Sequence, residues 1–149
     1  MSSPDDIPLV FSSPARVRKA ELRRFLADLT RRLTRGRAIS CLIADDAELR
    51  RLNRTFRNKN YATDVLSFPS WGENSAGDLA ISIDRARVQA AEHRHSLEIE
   101  LRILMLHGAL HLAGMDHEKD NGEMERAETR WRKRLHLPTG LIERSISAK

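Results

Sequence analysis

The sequence predicts a protein of the α+β class, in which a small mixed four-stranded sheet is packed with helices. Two observations indicate this class. Short apolar segments typical of strands precede residue 84, and segments with helical spacing dominate the rest. The length of 149 residues, 40% of them hydrophobic, suffices for one core and not for two. We therefore expect one domain over residues 1–149.

The first predicted elements are a strand and a helix. Ile7–Phe11 is a short apolar run that predicts the first strand. Ser13 followed by Pro14 is typical of a helix start, with Ser as the N-cap, and Gly36 predicts the end of that helix. The apolar residues between them recur at helical spacing, namely Leu22, Phe25, Leu26, Leu29 and Leu33.

Three further strands and one helix complete the first part of the chain. Ala38–Ala44 is mostly apolar and predicts a buried strand. The Asp45-Asp46 pair predicts the start of a short helix through about Phe56. Thr63–Phe68 and Asp78–Ile83 predict two more strands, which a polar loop joins.

Three helices are predicted in the second part, each with a capping residue before it or a Gly or Pro after it. They run from Asp84 to about His95, over Leu97–Ala113, and over Lys119–Leu135 before Pro138. Ser96 is the expected N-cap of the middle helix, and Gly114 is its expected end.

The composition excludes several protein classes. Cys41 is the only cysteine, so neither an intrachain disulfide framework nor a Cys-x-x-Cys zinc site is possible. No apolar run approaches the roughly 18 residues of a membrane span, and the first residues lack the pattern of a secretory signal. We therefore expect a protein of the reducing cytoplasm that does not enter a membrane.

The net charge of +5 is unevenly distributed along the chain. Residues 1–60 carry 14 basic and 7 acidic side chains, whereas residues 61–149 carry 12 and 14. Arginine accounts for 21 of the 26 basic residues, and its guanidinium binds phosphate through two hydrogen bonds at once. The basic helix face within residues 16–35 is therefore predicted to bind nucleic-acid phosphates. The alternative is an ordinary solvated helix face.

The most informative segment is LMLHGALHLAGMDH, residues 104–117. His107 and His111 are four residues apart on an otherwise apolar helix, so both side chains lie on one face, about 5–6 Å apart. Gly114 allows the chain to turn back and bring in His117. Three imidazole ligands with one open position are typical of a catalytic zinc site, here on a central buried helix. The alternative is two satisfied core histidines and an unrelated surface one.

The same spacing occurs in metzincin proteases, H-E-x-x-H-x-x-G-x-x-H. This chain has Gly108 where those enzymes have the glutamate that activates water for peptide hydrolysis. Because a glycine within a helix costs about 1 kcal/mol relative to alanine, we expect a reason for it. Either another element passes close to the helix, or space is needed beside the metal.

The segment HGALHLAGMDH closely resembles the signature of the YbeY family of bacterial endoribonucleases, which are ribosomal-RNA maturation factors. LNRTFRNKNYATDVLSFP at residues 52–69 and GDLAIS at residues 77–82 are also similar to segments of that family. The resemblance covers about residues 40–135. One departure is Ala62, where the family usually has proline, and we expect it to loosen that loop.

The resemblance implies a zincin-like domain with one zinc ion on His107, His111 and His117. It also implies a single-strand-specific endoribonuclease that matures the 3′ end of small-subunit ribosomal RNA and takes part in ribosome quality control. The expected partners are RNA and the ribosome or its proteins. Arg57 matches the family's functional arginine, and we expect it to stabilise negative charge that develops on phosphorus. Other metals that prefer imidazole ligands are alternatives to zinc.

Several alternatives remain at this point. The nucleophile is either water or the RNA 2′-hydroxyl. A non-enzymatic ribosome-assembly factor with a structural zinc is a second hypothesis, and a metalloprotease, which lacks the glutamate at 108, is a third. Asp116 either orients a ligand or caps a turn. Trp71 is a candidate for stacking on a base, and Trp131 for the core.

Overall fold

The four strands form one mixed sheet in the order β1-β2-β4-β3. The structure is a computed structural model that describes residues 9–61 and 63–147, with side chains through residue 144. The strands are β1 (Leu9–Phe11), β2 (Ala38–Ala44), β3 (Val65–Pro69) and β4 (Ser75–Ser82). The predicted four-stranded mixed sheet is therefore confirmed. Ile7, Pro8 and Ala62, on which parts of our predictions fall, lie outside the described residues.

The connections explain the strand directions. A helical crossover separates β1 from β2, and these strands are parallel, as are β2 and β4. A short loop joins β3 to β4, and this pair is antiparallel. At the end of this pairing, Gly77 lies opposite Pro69 with φ of +134°, and a Cβ there would collide with the Phe68 carbonyl oxygen. Glycine is needed at this position because no side chain fits.

Six helices surround the sheet within the described residues. They are α1 (Lys19–Leu33), α2 (Asp46–Arg57), α3 (Ile83–Glu92), α4 (Leu97–Leu112), α5 (Glu123–Arg134) and α6 (Leu141–Ser147). None of the helices is long and apolar enough to cross a bilayer, within the part of the chain that the structure describes.

Helix α4 forms the centre of the molecule. Eleven of its 16 residues are buried, because it packs against the sheet and also against α1, α3 and α5. Ser96 caps it by accepting the Ile99 N–H at 3.1 Å, as predicted. A helix covered on this many sides holds its side chains rigidly, which suits a site that needs fixed geometry.

Two helix starts differ from the predictions. Helix α1 begins at Lys19 and not at Pro14, and the preceding Arg18 N–H donates instead to the Glu98 side chain at 3.0 Å. Helix α5 begins at Glu123, because the Asp120 carboxylate accepts the N–H groups of Gly122 and Met124. In each case a side-chain acceptor sets the boundary.

The other two differences concern a cap and a missed helix. Ser82, not Asp84, caps α3 by accepting the Arg85 N–H at 3.2 Å. Asp84 instead accepts the Asp46 N–H at 2.8 Å, which ties α3 to the start of α2. Helix α6 was not predicted, because its seven residues are too few for a clear period.

Candidate metal centre

Three histidine side chains converge at the end of α4. The ring centroids of His107 and His111 are 4.9 Å apart, and the His117 ring lies 5.3 and 5.4 Å from them. One nitrogen from each ring lies within 4.8 Å of the others. Gly114, with φ of +101°, reverses the chain after the helix so that His117 faces the first two rings. The structure thus brings together all three predicted ligands.

Hydrogen bonds orient two of the rings. His107 Nδ1 lies 2.8 Å from Glu128 Oε2, and His111 Nδ1 lies 2.9 Å from the Met115 carbonyl oxygen. Because a carboxylate and a carbonyl are acceptors, each Nδ1 carries the proton and each Nε2 keeps a free lone pair. This arrangement is typical of histidines that bind a metal through Nε2.

The three-histidine set fits a divalent metal that prefers nitrogen ligands. Burial, followed by the nearby rings of His107 and His117, holds the pKa of His111 below its ordinary value, so this ring stays neutral and able to ligate. His117 Nδ1 is buried without a hydrogen-bond partner among the described residues. A buried imidazole nitrogen without a partner is costly in an ordinary core, which weakens the alternative of satisfied core histidines.

Glu128 is the residue at this site that the sequence analysis missed. It lies on α5, is 1% exposed, and accepts from His107 through Oε2 and from the Ile142 N–H through Oε1 at 2.8 Å. A signal was available in the sequence. Met124, Ala127 and Trp131 occupy the apolar face of α5, and Glu128 interrupts that face. A carboxylate on an apolar helix face indicates a buried polar partner.

The structure gives the reason for Gly108. A Cβ at this position would come within 2.6 Å of Leu79 Cδ2 and 3.2 Å of Leu79 Cδ1. Helix α4 therefore passes so close to β4 that no side chain fits without a shift. We expected either the close approach of another element or a need for space beside the metal, and the structure shows the close approach. A glutamate at this position, as in a metalloprotease, would require the buried Leu79 side chain to move.

A cleft of about 680 Å³ opens in front of the histidines. Arg57 ends α2 and lines the cleft, and Asn58 after it adopts a left-handed conformation with φ of +53°. Lys59 and Lys119 add positive charge, and Trp71, with 83% of its surface exposed, lies at the rim. The structure therefore places Arg57 and Trp71 in the same cleft as the histidines.

The predicted basic face on α1 lies elsewhere. None of residues 16–35 lines the cleft. Arg24 pairs with Glu21, and Arg31 pairs with Asp28 on the same helix. The cations that face the histidines come instead from the end of α2 and from the loop after His117. Binding of RNA phosphates along α1 stays a prediction.

Two of the three acidic residues that line the cleft, Asp64 and Asp116, accept hydrogen bonds from the protein itself. Asp116 accepts the Glu118 N–H at 3.1 Å, so it caps a turn, while Glu128 has the orienting contact that we considered for Asp116. Asp64 accepts the Val65 N–H at 2.8 Å and the Gln89 amide at 3.3 Å. These carboxylates are engaged in local structure.

Three further residues lie outside the cleft. Asp78 lies within β4 and is bonded to Ser40. His95 Nε2 lies 2.6 Å from the fully buried Glu100. Trp131 is partly buried and packs against the core, as expected.

Comparison with known proteins agrees with the geometry. A family model described as Endoribonuclease YbeY matches residues 13–136. Endoribonuclease YbeY of Solibacter usitatus is 56% identical over 145 residues, which cover 97% of this chain and 98% of the relative. Endoribonuclease YbeY of Koribacter versatilis is 57% identical over 107 residues, 72% of this chain and 70% of the relative.

A solved structure shares the fold. The solution structure of a Thermotoga maritima protein has a TM-score of 0.61 and 25% sequence identity, and the match covers 83% of this chain and 85% of that one. The family match spans most of the chain, including α2, the strands β2, β3 and β4, and all three histidines. The chain belongs to the YbeY endoribonuclease family.

Proposed function

We propose that this protein is a metal-dependent endoribonuclease that cleaves phosphodiester bonds in single-stranded RNA. The observation that carries the proposal is the convergence of three histidines in a cleft whose other charged wall carries Arg57. A relative named Endoribonuclease YbeY, which this chain matches over 98% of that relative's length, supports the same activity here.

Zinc is the metal that we propose. Three neutral imidazoles with an open fourth position match the ligand set of catalytic zinc sites. When bound, such an ion polarises a phosphoryl oxygen and lowers the pKa of a bound water to about 7. His107, His111 and His117 would hold it, and Glu128 would keep His107 in the tautomer that ligates.

The rest of the cleft is proposed to hold RNA. Arg57 can donate two parallel hydrogen bonds to a phosphate, and its charge would stabilise the negative charge that develops on phosphorus. Lys59 and Lys119 would attract the neighbouring phosphates. The exposed ring of Trp71 offers a face on which an unpaired base can stack, which favours single strands over duplexes.

The cellular role that we propose follows the family. We propose that the substrate is the precursor of small-subunit ribosomal RNA, cleaved near its 3′ end, and that the protein also acts in ribosome quality control. Ribosomal proteins would then be its partners, the cytoplasm its compartment, and residues 1–149 a single domain. Comparing ribosomal-RNA 3′ ends in cells with and without the protein tests this role.

Metal analysis combined with an RNA cleavage assay tests the activity. We expect purified wild type to hold one zinc per chain and to cut a single-stranded oligonucleotide in a chelator-sensitive way. His111→Ala should remain folded, lose zinc and lose cleavage. His93→Ala removes an exposed histidine outside the cleft and is the matched control, with activity unchanged. A 2′-deoxy substitution at the cleaved linkage blocks the reaction only if the 2′-hydroxyl is the nucleophile.

Two outcomes would contradict the proposal. If pure wild type held zinc without cleaving RNA, and His111→Ala unfolded, the metal would be structural and the protein a binding factor. If pure wild type hydrolysed peptides and not RNA, the protein would be a protease that works without the usual glutamate.

Arg57→Ala separates catalysis from metal binding. We expect cleavage to fall by about 10²–10³-fold, the usual effect of removing one donor to a developing oxyanion, while zinc content is unchanged. Single-turnover cleavage and metal analysis give the two readouts. Arg54→Ala is the matched control, because Arg54 is exposed on the same helix and does not line the cleft. Unchanged cleavage by Arg57→Ala would remove Arg57 from the mechanism.

A further inference from the structure

The segment from Gly140 to Arg144 reaches the metal centre from outside the part of the chain that the family model matches. That match ends at residue 136, and the segment includes the start of α6. It contacts two buried carboxylates, Glu128 on α5 and Glu100 on α4. We name residues 140–144 the C-terminal strap.

The first link runs through Glu128. Its Oε1 accepts the Ile142 N–H at 2.8 Å, and its Oε2 lies 2.8 Å from His107 Nδ1. The side chain is fully enclosed, and no Lys or Arg among the described residues forms an ion pair with it. Two N–H groups on opposite oxygens therefore set the plane of this carboxylate, and one of them belongs to the strap.

The second link is the fit of Gly140 against the same carboxylate. A Cβ at Gly140 would overlap Glu128 Oε1 and lie 3.0 Å from both Cδ and Cγ. The backbone of the strap approaches this closely only because the residue has no side chain. A larger residue would push the carboxylate off its line to His107.

The third link holds the strap in place by contacts that do not involve the metal centre. Arg144 donates to both oxygens of Glu100, at 2.7 and 2.8 Å. Glu143 accepts from Arg132 at 2.7 Å and from Thr129 at 3.1 Å. These bonds attach the strap to α4 and α5 and fix where the Ile142 N–H points.

We propose that the C-terminal strap is a positioning element of the metal centre, in which the Ile142 N–H holds the Glu128 carboxylate on His107 and so keeps His107 Nε2 aimed at the metal. This inference rests on the proposed function in one respect, that the three histidines bind a metal. Neither Glu128 nor any residue of the strap lines the cleft, so we assign them a positioning and not a catalytic role.

Comparing Ile142→Pro with Ile142→Ala isolates the hydrogen bond. Both variants lose the side chain, but only proline also removes the N–H, and proline is accepted in the first turn of a helix, where Ile142 lies. We expect Ile142→Pro to bind zinc about tenfold more weakly than Ile142→Ala, measured by competition with a chelating dye. In the metal-free protein, long-range ¹H–¹⁵N spectra should show His107 protonated at Nδ1 in Ile142→Ala and mixed tautomers in Ile142→Pro.

Failure of this inference and failure of the proposed function give different results. Wild type that binds no zinc overturns the proposed function, while the tautomer spectra of metal-free protein still test the strap. Zinc-binding wild type, with equal affinities and equal spectra for the two variants, overturns the strap. If Ile142→Pro does not fold, Gly140→Ala replaces it, with Gly72→Ala as its control because a Cβ there meets no atom closer than 3.8 Å. Equal zinc affinities of these two glycine variants would also overturn the inference.

Discussion

Two buried carboxylates of this protein have similar surroundings and different partners. Glu100 is 0% exposed and Glu128 is 1% exposed. Each lies beside a histidine, at 2.6 Å from His95 and 2.8 Å from His107, and each also accepts from the C-terminal strap. In both places a buried carboxylate lies beside a histidine and accepts a hydrogen bond from α6.

The difference is the charge of the donor from the strap. Glu100 accepts from the Arg144 guanidinium, whereas Glu128 accepts from the uncharged Ile142 N–H. A buried carboxylate is costly unless a cation compensates it. Glu100 is compensated within the protein. Glu128 has no Lys or Arg partner among the described residues. On the proposed function, a metal cation held by the histidines would supply the compensating charge through His107. The charge of the second donor therefore distinguishes the structural carboxylate Glu100 from Glu128, the carboxylate beside the three histidines.

The largest expected effect is on stability, from Glu100→Gln. This substitution leaves the Arg144 guanidinium, whose side chain is 10% exposed, without its carboxylate. Removing one partner of a buried ion pair costs about 3–5 kcal/mol of unfolding free energy. Chemical denaturation measures the loss. Glu21→Gln, whose carboxylate pairs with the exposed Arg24, is the control and should cost at most about 1 kcal/mol. Equal losses of unfolding free energy in the two variants would contradict the distinction between a buried and an exposed ion pair.

Glu128→Gln should mainly lower zinc affinity, whereas Glu100→Gln should mainly lower stability. We expect zinc affinity to fall by about 10–100-fold, as is usual when the partner of a ligating histidine is changed. The metal-free protein should lose less stability than with Glu100→Gln, because an uncompensated charge is removed. Chelator competition and denaturation in chelator give the two numbers. Unchanged zinc affinity would show that Glu128 is structural, like Glu100.

A smaller effect is expected from His95→Gln. The variant removes one of the donors to Glu100 and leaves the two bonds from Arg144, so we expect a loss of about 1.5–3 kcal/mol, as for one hydrogen bond to a charged group. His93→Gln, on an exposed neighbour, should leave the unfolding free energy unchanged. A loss as large as that of Glu100→Gln would mean that His95, and not Arg144, compensates the charge.

The smallest effect concerns acid pH. Burial raises the pKa of Glu100, but hydrogen bonds from Arg144 and His95 outweigh it and hold the pKa below its ordinary value. A carboxyl group with a lowered folded-state pKa stabilises the protein above its unfolded pKa of about 4.3, and this contribution disappears as the pH falls through the folded-state value. Wild type should therefore lose stability more steeply than Glu100→Gln below about pH 4.5. Parallel curves of unfolding free energy against pH would contradict this.

The parts of the fold that were predicted well are those where a local pattern and the tertiary environment agree. β2 matches the predicted Ala38–Ala44, and α4 matches to within one residue, because Ser96 and Gly114 mark its ends locally. The three histidines were found for the same reason. Their positions follow from helix geometry and one turn, and they lie within 11 consecutive residues.

The predictions were wrong where a hydrogen bond to a residue distant in the sequence replaced the predicted local cap. The Ser13-Pro14 pair has the form of a helix start, yet Arg18 is the residue before α1, and its N–H bonds to Glu98, 80 residues away. Asp84 was expected to cap α3, but its carboxylate holds the start of α2, 38 residues earlier. A capping pattern gives only a local preference, and a tertiary acceptor that is better placed overrides it.

Helix geometry alone predicts that His107 and His111 lie on one face of an apolar helix, because residues four apart share a face whatever surrounds them. The partners behind the histidines depend on the packing of separate helices. Glu128 is 21 residues beyond His107, and Ile142 is another 14 residues on. The three residues lie on three different helices, so no pattern within one helix relates them. Packing of α5 and α6 against α4 brings them into one hydrogen-bonded chain, because a buried carboxylate must find donors wherever the fold provides them.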